Sequence, residues 1–162
     1  MATLTVTVTE SVTLNGAARG STNSRSITGV DDVYHRIVTL ADDLSNATLV
    51  SFKQSGVTGA DGAMARDNVK YVRITNLDSA NPVILNLQVI AAMNDAVGDQ
   101  NAGILLEAGQ SFMMSKISDA IELTAGANDI DDVANLHDLE SIMVDPLSEA
   151  VKVEIFVASV VA

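Results

Sequence analysis

Apolar and polar side chains alternate residue by residue through most of this chain. In VKYVRITN, Val69, Tyr71, Arg73 and Thr75 fall on one side and Lys70, Val72, Ile74 and Asn76 on the other. The same period of two carries Val83, Leu85, Leu87 and Val89. It returns near the C-terminus, where Val151, Val153, Ile155 and Val157 oppose Lys152 and Glu154. Successive side chains of an extended strand point to opposite faces, so this period predicts sheets with one buried and one wet face. No segment sustains the 3.6-residue period of an amphipathic helix.

The punctuation between the alternating runs supports the same reading. Leu4, Val6 and Val8 alternate with threonines, the pattern resumes at Val12 and Leu14, and Asn15-Gly16 then signals a turn. Gly20 to Asn23 reads as loop. Asp31-Asp32 opens either a helix or a strand, and the β-branched Ile37, Val38 and Thr39 favour strand. Ala47 to Ser55 reads as a further strand. Gly56 to Asn68 and Met93 to Gly103 read as long loops, and Ile130 to Leu136 as a possible short helix. About eight to ten strands follow at the spacing of sandwiches and barrels. The expected fold is all-β: a single-domain antiparallel β-sandwich, jelly-roll-like, spanning residues 1–162 with at most one short helix.

Composition narrows the chemistry. The chain has 162 residues, 48% of them hydrophobic but only 3% aromatic, so its core must be aliphatic. Nine Lys+Arg against 21 Asp+Glu give a net charge of −12, which argues against nucleic acid as a partner. With no cysteine there is no disulfide, thiolate nucleophile or Cys-based metal site. The N-terminus lacks the basic and apolar regions of a signal peptide, and no apolar run is long enough to span a bilayer. A soluble protein made in the cytoplasm, without a membrane partner, is expected.

Catalytic constellations are not apparent. The two histidines, His35 and His137, have no nucleophile in a recognisable motif beside them, and surface histidines are the simpler reading. No phosphate-binding, dinucleotide-binding, nucleophile-elbow or zinc-protease motif occurs. Neither an enzyme nor a cofactor is expected. Asp129, Asp131 and Asp132 could offer oxygens to Ca²⁺, but the spacing departs from a helix–loop–helix calcium loop, and a solvated acidic loop is the simpler reading. Arg19, Arg25 and Arg66 stand out in so acidic a chain as candidates for pairing with carboxylates across an interface; internal ion pairs are the alternative. The apolar tail, with Phe156, Val160 and Val161, is either a core strand or a surface buried against another copy. The threonine-rich first strand is a candidate for edge pairing.

Four runs carry a resemblance: ESVTLNGAARGSTNSRSITGVDDVYHRIVTL, NVKYVRITNLDSANPVILNLQVI, LLEAGQSFMM and VKVEIFVAS. Together, and in this order, they resemble small virion structural proteins of tailed bacteriophages, especially marine and cyanobacterial ones. The motifs concerned are Tyr71 to Asp78 and Leu106 to Phe112, with the valine-rich closing strand. The resemblance implies a non-enzymatic β-sandwich on the outside of the phage head, a capsid decoration or cement protein. Its partners would be the major capsid protein and further copies of itself, as a homo-oligomer for which a trimer is the expectation. A tail, neck or fibre position in the virion is the alternative, and a carbohydrate-binding module a more distant one.

Overall fold

The computed structural model describes residues 1–54, 63–89, 100–122 and 136–160. Within them the strands are β1 (Ala2–Thr9), β2 (Thr13–Leu14), β3 (Ala17–Ala18), β4 (Thr22–Leu40), β5 (Ala47–Lys53), β6 (Met64–Ala65) and β7 (Val69–Asn76). They continue with β8 (Val83–Val89), β9 (Gln100–Leu106), β10 (Ser111–Met114), β11 (Ile121–Glu122), β12 (Leu136–His137), β13 (Leu139–Asp145) and β14 (Val151–Val160). Nine of these run four residues or longer, and the described helix is a single 3₁₀ turn at Arg66–Asn68.

Two five-stranded sheets face each other, ordered β1-β4-β14-β7-β10 and β6-β5-β13-β8-β9. All pairings between the long strands are antiparallel; only β5 and β6 run parallel. Setting aside β1 and the two-residue strands leaves eight. Counted in chain order, they lie first-eighth-third-sixth in one sheet and second-seventh-fourth-fifth in the other. That order is a jelly roll, in which the chain crosses repeatedly between sheets.

The core between the sheets is aliphatic, as the composition requires. Val72 and Ile74 of β7, Val83, Leu85 and Val89 of β8, Ile142 and Val144 of β13, and Val153, Ile155 and Val157 of β14 are all fully buried. Each set follows the period of two, with one correction. Val69 is buried with Val72 and Ile74, not on the side of Tyr71 and Arg73. Its partner on β14 is Ser159 while Tyr71 pairs with Ala158, so Lys70 is an extra residue and the faces swap beyond it.

Other boundaries shift as well. Thr22 and Asn23 belong to β4 rather than to a loop, because threonine and serine hydroxyls pair across the ladder (Thr7 with Ser24 at 2.9 Å). Gln100 to Gly103 begin β9, paired along their length with β8, where a loop is expected from composition. The end of the Gly56–Asn68 stretch is β6 and the 3₁₀ turn. The possible helix near Ile130 lies outside the described residues except for Leu136, which is in a strand.

The two motifs that carry the resemblance form one unit around Asn76, whose side chain is fully buried at the end of β7. Its Nδ2 donates to the carbonyls of Asn81 (2.8 Å) and Leu106 (3.2 Å), while Oδ1 accepts from the Asp78 amide at 3.0 Å. Its backbone bonds Gln110 and Gly109 in the turn between β9 and β10. Gly109 has φ +74 and sits third in a turn closed by Gln110 N–H to Glu107 C=O at 3.0 Å, a position where glycine is the unstrained choice.

Beside it, Asp78 Oδ1 accepts from the Ala80 amide (2.9 Å) and the Asn81 amide (2.8 Å), which holds its carboxyl below the ordinary value. A lowered pKa contributes stability that is present above the unfolded-state value and lost as pH falls through the folded one. Asp78→Asn is therefore expected to flatten part of the decline in urea midpoint from about pH 4 downward. Identical acid limbs for the two proteins would show the turn to be indifferent to that charge.

Candidate functional site

β4 is nineteen residues long and serves two partners in succession. From Thr22 to Val30 it pairs with β1; from Val30 to Leu40 it pairs with β14. The hand-over carries two irregularities. The register with β1 jumps from Thr28 to Val30, leaving out Gly29, and the register with β14 jumps from Asp32 to Val30, leaving out Asp31. Gly29 has φ +78, a left-handed conformation that glycine alone adopts without penalty and that marks a bulge. Bulges bend the strand and increase its twist, so the β1–β4 hairpin leaves the plane of the sheet as an arm.

The arm curls over the outer face of β14, β7 and β10. A second, small hydrophobic cluster fixes it there: Ile27, Val30 and Ala158 are buried, with Leu4, Tyr71, Phe156 and Val160 packed against them. Tyr71 meets Phe156 edge-on at 6.1 Å between ring centroids, and His35 tilts against Phe156 at 5.6 Å. Burial pushes the Tyr71 phenol above its ordinary pKa, partly offset by the charge of Arg73. Glu154 ties this face together, accepting from Arg73 at 2.7 Å and pairing with His35 at 2.8 Å.

Between the arm and the sheet lies a trough of roughly 470 Å³ whose walls include Leu4, Val6, Tyr71, Arg73, Met113 and Phe156. The arm's tip is the β2–β3 hairpin around Asn15-Gly16, with Val12 (53%) and Leu14 (58%) turned to solvent. Among the described residues β1 ends its sheet, and the backbone groups on its outer side have no ladder partner there. From Ala2 to Thr9 no side chain is ionisable, although edge strands are commonly guarded by lysine, proline or a bulge.

The candidate residues fall in different places. Arg66 is buried and its Nη1 pairs with Asp138 at 3.1 Å, the internal ion pair given above as the alternative to an interface. Arg25 is exposed and lines the same hollow as Arg66. Arg19 is exposed near the arm's tip. Phe156 and Val160 are half-buried under the arm, while Val157, Ala158 and Ser159 are buried, so the C-terminal segment is a core strand through Ser159. Val161, Asp129, Asp131 and Asp132 lie outside the described residues. Among the described residues no three His, Asp or Glu side chains converge as metal ligands, and no helix is long and apolar enough to cross a membrane.

The trough residues Leu4, Tyr71 and Met113 are not foreseeable from local pattern. Each sits at an ordinary alternating position; Tyr71 and Met113 share a face of the paired β7 and β10, and the bend at Gly29 brings Leu4 over them. No protein-family model, curated protein or solved structure matches the chain.

Proposed function

We propose that this chain is a non-enzymatic structural protein of a tailed-phage virion, a capsid decoration or cement protein placed on the outside of the head. The observation that carries the reading is the jelly roll whose interior is filled by packed aliphatic side chains, with a hairpin arm added at one edge whose outer strand, β1, has no ionisable side chain. Jelly rolls occur in viral capsid proteins, lectins and cupins. Among the described residues the space between the sheets is packed with aliphatic side chains, which turns attention to the surface and to the arm. The resemblance of Tyr71 to Asp78 and Leu106 to Phe112 to virion proteins supports the same class, since both segments build the Asn76 hub.

A cement protein stabilises a shell because it binds the assembled lattice of the major capsid protein and not the free subunit. Self-association raises that effect through avidity. At a net charge of −12, two copies repel over most of their surface. The outer edge of β1 is where they approach without bringing acid against acid, and its unpaired backbone groups are the means of joining.

Gel densitometry of purified particles tests the placement. Hundreds of copies per particle support decoration; about six to eighteen, the number a ring or neck collar provides, overturn it in favour of a tail or neck position. Sedimentation velocity tests the arm. The wild type is expected to associate, and Thr5→Lys/Thr7→Lys, which places two charges on the edge strand, is expected to yield monomer. A wild type that stays monomeric at high concentration defeats the oligomer. Deleting the residues after Phe156 is not a clean test, because it strips Val157 and Ala158 from the core.

A further inference from the structure

We propose that a hollow beside the start of β7 is an oxyanion-binding site, taking a phosphate-type or carboxylate group. This inference is independent of the virion reading. The hollow holds roughly 360 Å³ and is lined by Arg25 of β4, Arg66 of the 3₁₀ turn, Lys70 of β7, Lys116 after β10, and the hydroxyls of Ser115 and Ser118. The whole chain has nine Lys+Arg against 21 acids, so an average surface hollow should be ringed by carboxylates. Here four of the nine cations gather at one place. Three carboxylates answer them: Asp67 in the lining, Asp138 on Arg66 at 3.1 Å, and Asp119 at 3.8 Å from Lys116. Four minus three leaves the hollow at +1 in a protein of −12.

The cations are only partly spent on those acids. Arg25 has no ion-pair partner among the described residues. Lys70 gives its Nζ to the Asp67 backbone carbonyl at 2.6 Å, an acceptor without net charge. Arg66 is the decisive group. Its side chain is 8% exposed, Nη1 is ion-paired with Asp138 at 3.1 Å, and the buried Nε–H has no acceptor among the described residues. A buried donor left unmade is unfavourable, and an arginine in that state is a planar fork with a prong still open. An oxyanion seated among Arg25, Lys70 and Arg66 would draw charge-assisted hydrogen bonds from the three cations, reaching the buried Arg66 Nε only with a shift of that side chain, and the serine hydroxyls would serve as neutral donors. Chloride, a point ion without oxygens in a plane, is a poorer fit for the fork.

The oxyanion can be free in solution or be a carboxylate of a second copy, and one experiment separates the two. Inorganic phosphate is titrated into the ¹⁵N-labelled full chain at fixed ionic strength, observing the arginine Nε–H resonances, with chloride as the control. A saturable shift of the Arg66 signal in roughly the millimolar range is expected, weakened about tenfold in Arg25→Gln and in Lys70→Gln. Both variants lie outside the core, and their melting curves confirm that they fold. A free oxyanion is the natural occupant if the Arg66 signal is unchanged by dilution of the protein alone. A second copy's carboxylate is the occupant if dilution moves that signal and phosphate dissociates the assembly. An equal response to chloride, or an affinity unaltered in both variants, overturns the site.

Discussion

Asn76→Ala is expected to lower the free energy of unfolding by about 3 kcal/mol, read as a drop in urea midpoint at unchanged slope. The side chain occupies no free surface and makes three hydrogen bonds at once, to Asn81, Leu106 and Asp78. Truncation leaves two carbonyls and one amide without that partner, the Leu106 carbonyl in a fully buried place and the other two partly buried, and a buried group left unmade costs about 1–3 kcal/mol. Asn76→Asp sharpens the test. It preserves the shape but replaces the donating amide by a carboxylate facing two carbonyl oxygens, so the loss should equal or exceed that of alanine. A loss below about 1 kcal/mol for both variants would mean that the turns at either end hold without their shared hub.

Ile155→Ala is expected to cost about 4 kcal/mol, with Ile155→Val near 1 kcal/mol. Ile155 is fully buried in β14 and lies beside Ile74 on β7 and Arg36 on β4. Strands hydrogen-bonded on both sides cannot close in around a missing side chain, so the cavity persists and its full cost is felt. Phe156→Ala, one residue along and on the opposite face, removes a half-buried ring from the small cluster beneath the arm. It should disturb the arm more than the sandwich. Equal losses of global stability at the two positions would contradict the separation into one principal and one secondary core.

The period of two was sufficient to read β8, β14 and, beyond the extra residue at Lys70, β7, because one face of each is pressed against the opposite sheet. Local pattern does not specify which strand lies beside which, so the jelly-roll order was visible only as a class. The start of β4 was hidden for a physical reason. Its first five residues, Thr22 to Ser26, are exposed on both faces and include hydroxyls paired across the ladder, and its middle is interrupted by Gly29 and Asp31-Asp32, so this stretch carries the composition of a loop while forming a ladder. Arg66 illustrates the reverse failure. A cation beside a glycine-rich stretch suggests solvent, yet the 3₁₀ turn directs it inward to Asp138. The importance of Asn76 could not be seen because its partners come from two separate turns. The gathering of Arg25, Arg66, Lys70 and Lys116 depends on strands distant in sequence, and no spacing rule would have found it.

The length of β4 has a mechanical consequence. Extended, nineteen residues span roughly 60 Å, and this one strand runs from the exposed arm along the flank of β14, the central strand of its sheet. A pull on the arm along that strand loads its ladders with β1 and β14 in shear, so many hydrogen bonds must yield together rather than unzip one after another. Tension arriving from a neighbour is thus delivered to β14, the strand packed most deeply in the core, and a bend at a single glycine sets the direction from which it arrives.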